Sequence, residues 1–309
     1  MGQIEPGLDR WNRNRKIRNP SGRQMLCLCT YPWTKTGNLK KSSGPSETLD
    51  FLYQERKYPM IYYFSTTGNS LALARKLGEA MKDKVCSLTR TKGKSLEGPA
   101  LGLVFPVYYG DVPANVADFV RNHDFPEGAY VYALATCGTT WGRSFRTLQQ
   151  LLEKKGCRLA WSRAVPLIAN STICSRSHIG YDLKKLEKED PVVQEVAEAV
   201  EKRREDHSQE QDSLMAGLFD TWLGRKLGEW YLGVQVAPDR CVRCGECVRL
   251  CPVENIQLGE KSAVMGNHCL HCLACLHGCP HQAITVRGRV VLKEDQYRHP
   301  GVTVKELER

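Results

Sequence analysis

From Met60 onward the chain alternates short apolar runs with longer stretches whose apolar positions recur at helical spacing. The runs Met60–Phe64, Lys84–Leu88, Ala100–Phe105, Ala129–Ala135 and Arg158–Val165 read as strands. Helical spacing marks Asn69–Met81, Pro113–Asn122, Gly142–Lys155 and, after a longer loop, Tyr181–Arg204. Strand–helix alternation of this kind predicts an α/β fold, a doubly wound five-stranded parallel sheet with helices on both faces. Ligands of such sheets bind beyond the carboxyl ends of the strands.

The pattern changes on either side of this block. Residues 1–59 are rich in Pro, Gly, Ser, Asn and basic residues and lack sustained periodicity, a composition that suggests disorder or an over-extended start ahead of Met60. The Cys27-Leu28-Cys29 pair in that segment cannot close a metal site by itself. Glu205–Ser213 is polar throughout. Leu214, Leu218, Trp222 and Trp230, with Met215, Phe219, Leu223 and Leu227, then outline an amphipathic helix. Its balanced charges favour docking against a neighbouring domain over lying on a membrane. The expected organisation is therefore 1–59, an α/β domain over 60–212, a connecting helix over 213–236, and a cysteine-rich module with a tail over 237–309.

Charge changes little in this picture. The net formal charge is +10, but residues 1–59, with eleven Lys/Arg and five Asp/Glu, carry +6 of it. A nucleic-acid footprint should sit on a folded face, so no nucleic-acid partner is expected. The longest charge-free stretches are Pro59–Ala74, Gly128–Gly142, Pro99–Gly110 and Ala164–Ser175, all too short for a membrane span. No secretory signal opens the chain, so the expectation is a cytoplasmic protein.

Cysteine spacing changes it a great deal. Cys241-x-x-Cys244-x-x-Cys247-x-x-x-Cys251-Pro252 recurs as Cys269-x-x-Cys272-x-x-Cys275-x-x-x-Cys279-Pro280. This is the run by which bacterial ferredoxins hold two [4Fe–4S] clusters, the fourth cysteine of each run ligating the other cluster. Three thiolates on one tight loop reach three corners of a cubane, and the fourth corner needs a ligand from elsewhere. One set is then Cys241, Cys244, Cys247 and Cys279, and the other Cys269, Cys272, Cys275 and Cys251. Zinc and disulfides are the competing readings. Structural zinc favours paired Cys-x-x-Cys units, and disulfides need an oxidising compartment. His268, His271, His277 and His281 crowd the runs, but with eight thiolates present they are expected to act at most through hydrogen bonds around the clusters.

A second site is written at the end of the first strand. Ser65-Thr66-Thr67-Gly68-Asn69-Ser70 leads straight into a helix, which offers converging backbone N–H groups and a positive dipole end to an anion such as phosphate. Tyr58–Ala74 has no Lys or Arg, so a phosphate there would be held by neutral donors. The loop is neither the nucleotide-triphosphate loop, which needs a lysine, nor the three-glycine dinucleotide fingerprint.

This loop resembles the phosphate loop of flavodoxins, which bind FMN. Two further loops are similar to those that enclose the flavin ring: Pro106-Val107-Tyr108-Tyr109-Gly110-Asp111-Val112-Pro113 and Thr136-Cys137-Gly138-Thr139-Thr140-Trp141-Gly142. Together with the cysteine runs, Met60 to about Val302, including Gln296-Tyr297-Arg298-His299-Pro300, resembles a flavodoxin–ferredoxin fusion family found largely in anaerobic bacteria. The resemblance implies a flavodoxin-like sheet followed by a small α+β bacterial ferredoxin-like domain. It also implies that Ser65, Thr66, Thr67, Gly68, Asn69 and Ser70 cradle the FMN phosphate. Tyr108, Tyr109 and Gly110 would form one wall of the ring site and Thr136, Cys137 and Gly138 the other, with Trp141 a rival for the stacking position.

The expected function is electron transfer between FMN and two [4Fe–4S] clusters, with redox proteins or a small oxidant or reductant as partners. No acid–base pair or nucleophilic triad stands out. A flavin-dependent reductase of a quinone or similar oxidant is the first alternative. A zinc-stabilised binding module without redox activity is the second.

Overall fold

The computed structural model describes residues 61–91, 93, 95–209 and 222–309, all within one compact unit spanning 41–309. Expectations about residues 1–60, the Cys27–Cys29 pair included, and about the apolar positions at 214–221 lie outside the described residues. Among the described residues no helix is long and apolar enough to cross a membrane.

The α/β module contains β1 (Ile61–Tyr63), α1 (Asn69–Met81), β2 (Val85–Ser87), β3 (Ala100–Pro106), α2 (Ala114–Asn122), β4 (Tyr130–Cys137), α3 (Ser144–Glu153), β5 (Leu159–Pro166) and α4 (Glu189–Glu201). All five strands are parallel, in the order β2-β1-β3-β4-β5. This is the smaller doubly wound order, and its switch point lies between β1 and β3. β4 is buried along its whole length, and β3 along all but its last residue, which is why their sequences read as continuous apolar runs.

Alternation along each strand divides the core in two. Tyr62, Phe64, Leu103, Phe105, Val116, Phe119, Leu148 and Leu152 fill the layer beneath α2 and α3. Ile61, Val104, Tyr132, Leu134, Leu73, Leu77, Val193 and Val196 fill the layer beneath α1 and α4. The stretch predicted as one helix over Tyr181–Arg204 is two pieces, a 3-10 turn at Leu183–Lys188 and then α4.

Next come α5 (Trp222–Tyr231), β6 (Val234–Val236), α6 (Glu246–Leu250), the β7 (Ile256–Leu258)–β8 (Ala263–Met265) hairpin, α7 (Ala274–Gly278), β9 (Ile284–Val286) and β10 (Arg289–Val290). β9 pairs antiparallel with both β6 and β10. The cysteine repeat is also a structural repeat, displaced by about twenty-eight positions. α6 recurs as α7 and β7 as β9. The left-handed residues Arg243, Gly245 and Glu254 recur as His271, Leu273 and Gln282. Such residues bend the chain sharply enough to turn successive thiols inward.

Two features depart from a picture of separate domains joined by a docked helix. The loop after β5 contributes Ile173, Cys174 and Ile179 to the core of the cysteine-rich module, where they pack with Leu276, Ile284 and Val291. Asp295, 2% exposed, fastens this loop by accepting the backbone N–H groups of Ile179 (2.6 Å) and His178 (3.1 Å). In α5, Gly228 is buried, while Leu223, Leu227 and Trp230 face solvent. The described apolar positions of the expected face are thus exposed, with the Arg287 guanidinium 5.0 Å from the Trp230 ring centre.

Candidate functional site

The two cysteine runs fold so that each fourth cysteine leaves its own loop. One small hollow is lined by Cys269, Cys272, Cys275 and Cys251, with Ile256, Leu270 and Leu273. The other is lined by Cys241, Cys244, Cys247 and Cys279, with Leu258, Ala263 and Ile284. Four thiols around an apolar hollow are the donor set that a [4Fe–4S] cluster requires. Burial pushes the Cys247 thiol up to about 11, and the nearby Cys279, Cys241 and Cys244 add to the shift. Burial likewise pushes Cys272 up to about 12, opposed by a backbone N–H at Ala274 and reinforced by Cys269 and Cys251. Thiols so crowded and desolvated stay protonated unless a cationic group binds them.

Backbone donors reach the sulfurs. Asn255 N–H donates to Cys251 Sγ and Ala283 N–H to Cys279 Sγ, both at 3.2 Å and at equivalent places in the repeat. Ala263 N–H reaches Cys241 Sγ at 3.4 Å and His271 N–H reaches Cys269 Sγ at 3.3 Å. Hydrogen bonds to sulfur are one of the means by which a protein sets cluster potential.

The environments of the two cavities differ. Cys244 is exposed, and Val242 beside it is 59% exposed. Cys272 is buried, and its carbonyl oxygen faces the loop at the end of β1, accepting from the Thr66 hydroxyl (3.4 Å) and from Asn170 Nδ2 (3.2 Å).

That loop has the geometry of an anion cradle. Gly68, at φ +104°, caps the N-terminus of α1, and a Cβ there would stand 2.7 Å from the His299 Cβ. Among the described residues, no acceptor stands against the backbone N–H groups of Thr66, Thr67 and Asn69. These donors and the helix N-terminus fit a phosphate group. The side chains are already engaged. Thr66 Oγ1 and the Tyr108 phenol are 2.8 Å apart, and Ser70 and Thr136 hydroxyls pair at 2.8 Å. Asn69 donates to the Ile168 carbonyl at 3.0 Å and accepts from Tyr297 at 2.5 Å. His299 N–H donates to the Thr67 carbonyl at 2.8 Å.

The two wall loops meet each other. Arg143 N–H donates to the Gly110 carbonyl at 2.8 Å, and a Cβ on Gly142 would fall 1.9 Å from that oxygen. Tyr108 bends down to Thr66, and Tyr109 meets the His271 ring edge-on with centroids 6.0 Å apart. Gly138 lies against Ala169, and Trp141 donates to the Gln209 carbonyl at 3.1 Å. Burial raises the Cys137 thiol to about 11, so it serves as a small buried group rather than a nucleophile.

Residues 240–284 match the family model for the 4Fe–4S dicluster domain. The chain joins a module of flavodoxin-like strand order to a segment similar to 4Fe–4S dicluster domains. The flavodoxin-like description rests on the parallel order β2-β1-β3-β4-β5. Among solved structures, a short-chain flavodoxin associated with a non-canonical PDU bacterial microcompartment is 13% identical, covering 47% of this chain and 97% of its own, with a TM-score of 0.32. A flavodoxin from the domain Archaea is 18% identical, covering 46% and 96%, with a TM-score of 0.29. A flavodoxin of Streptococcus pneumonia TIGR4 is 14% identical, covering 45% and 96%, with a TM-score of 0.31. At these values the likeness adds no argument to the strand order. A comparison with curated proteins finds no match.

Asn170 escaped the sequence reading, and His277 and Tyr297 were named there without these partners. Asn170 links Thr67 (3.5 Å) to the Cys272 carbonyl. His277, 5% exposed, accepts from Tyr297 N–H at Nδ1 (2.9 Å), which leaves Nε2–H to donate to the Asn170 carbonyl (3.1 Å). Tyr297 itself reaches Asn69. Only the Gln296–Pro300 resemblance hinted at the tail; nothing local marks Asn170.

Proposed function

We propose that the protein is an electron carrier holding two [4Fe–4S] clusters in its dicluster domain and FMN at the strand ends of its flavodoxin-like module. One cluster would be held by Cys241, Cys244, Cys247 and Cys279, the other by Cys269, Cys272, Cys275 and Cys251. When bound, the clusters supply single-electron uptake and release and the flavin one- or two-electron chemistry, while the protein supplies position and electrostatics.

The observation that carries this reading is the grouping of thiols into two four-cysteine hollows, each completed by the other run's last cysteine. The residues divide the work. Val242 and Cys244 open the first hollow to solvent, where a partner can approach. Leu250, Ala274, Leu270 and Tyr108 exclude water around Cys272 in the second, and Thr66 and Asn170 bind that hollow's rim to the phosphate loop. Ser65–Ser70 would receive the FMN phosphate on backbone N–H groups, with Tyr108, Tyr109 and Gly110 facing Thr136, Cys137 and Gly138 across the ring position. Tyr108 and Leu270 cover the strand ends, which supports a carrier over a reductase of small oxidants.

Anaerobic purification followed by iron, sulfide, zinc and flavin analysis tests the proposal. The expected result is about eight irons and eight acid-labile sulfides per chain, with FMN bound on titration. Zinc near one per four cysteines, without sulfide, would overturn it.

A further inference from the structure

The strand ends between the two wall loops are covered by the protein's own side chains. Tyr108 lies over the phosphate loop with its hydroxyl 2.8 Å from Thr66 Oγ1. Since Thr66 donates to the Cys272 carbonyl, the phenol is the donor of that pair. Leu270 packs beside Tyr108, against the α/β core on one side and against Leu250, Cys272 and Ala274 on the other. His271 sits edge-on to Tyr109. Gly110 and Gly142 hold the wall loops in backbone contact, with the Arg143 N–H on the Gly110 carbonyl at 2.8 Å. Asn170 is the pin: one amide group donates both to Thr67 on the phosphate loop and to the Cys272 carbonyl on the second cysteine loop.

We propose that the 269–272 loop and the flavin ring are alternative occupants of the strand ends, with Asn170 the positioning residue that latches the loop in place. The inference rests on the FMN reading above. The phosphate cradle stays intact in this closed state, so phosphate affinity and ring access are separable. Ring entry requires the 269–272 loop to lift, the wall loops to part and Tyr108 to leave Thr66. Because the same loop carries Cys269 and Cys272, flavin occupancy and the surroundings of the second cluster are thermodynamically linked. A ligand that selects the open state shifts the population toward it, and weakening the closed state raises its apparent affinity.

The test uses the intact, iron-replete chain under anaerobic conditions. FMN binding is followed by quenching of flavin fluorescence, and amide hydrogen exchange is followed over 269–273. Addition of FMN should increase exchange at 269–273. Asn170→Ala, which loses the latch hydrogen bonds, and His271→Ala, which loses the edge-on contact to Tyr109, should each, with iron content verified, bind FMN more tightly than the parent, the former by about fivefold or more. FMN binding that leaves exchange at 269–273 unchanged or lower, with no gain in either variant, would overturn the latch and leave the FMN reading standing. No FMN binding by the parent or by either variant would overturn the FMN reading, and the latch with it.

Discussion

The two cysteine runs are the same phrase in two settings. They share spacing, a short helix after the second left-handed position, and an N–H to the sulfur of the last cysteine. Yet the middle of the first run lies open, with Cys244 exposed, while Cys272 in the second is sealed under Tyr108, Leu270 and the strand-end loops. The side chain one position into the repeat's helical end shows the same contrast. Arg249 is half-exposed and paired with Glu246 (2.5 Å) and Glu308 (3.2 Å). Its counterpart His277 is buried and bridges the two modules. Ligand chemistry is thus a local property of the repeat, whereas access and coupling are set by what packs against it.

This contrast can be broken most severely at the contact between the two halves. Leu250 on α6, 4% exposed, lies against Gly278 on α7, where a Cβ would come within 2.1 Å of its Cδ1. Leu250→Ala should destabilise the protein by about 2–5 kcal/mol, with partial loss of iron, measured by anaerobic denaturant titration. Asp295→Ala leaves the buried N–H of Ile179 and the part-buried N–H of His178 without their acceptor and should cost about 1–3 kcal/mol, releasing the loop after β5 from the cysteine-rich module. Faster amide exchange confined to 173–181 would identify that release.

The matched pair at the helical ends sharpens the comparison. His277→Ala removes both bridging hydrogen bonds and should cost about 1–3 kcal/mol. Arg249→Ala, at the equivalent place on the exposed run, should change stability by no more than about 1 kcal/mol. Equal effects would show that burial does not distinguish the two runs. The mildest consequence is kinetic: under limited oxygen, absorbance bleaching should begin at the solvent-facing set, and single-cluster protein recovered midway should retain the set that includes Cys272.

The strands and helices of the α/β module were legible because their causes are local. Asn69–Met81 was read with its observed bounds, since Gly68 and the apolar spacing mark both start and face. That each loop can converge three thiols follows from spacing; the exchange of the fourth was read from the ferredoxin-type run, not from spacing. What escaped has non-local causes. The outward apolar face of α5 depends on which side another surface meets, and its sequence periodicity is indifferent to that choice. Ile173 and Ile179 read as loop residues, because their partners, Leu276 and Val291, lie a hundred positions away. Asn170, a polar residue with no motif, meets the Cys272 carbonyl and His277, and Tyr297 reaches Asn69, contacts between distant parts of the chain that no local pattern reports.

The central claim, two hollows with exchanged fourth ligands in unequal settings, is tested most directly by paramagnetic resonance of the reduced protein carrying Cys279→Ser or Cys251→Ser. The account predicts that Cys279→Ser abolishes or alters the solvent-facing cluster of Cys241, Cys244 and Cys247 and spares the buried one, and that Cys251→Ser does the reverse. Loss in each variant of the cluster belonging to its own run would contradict it.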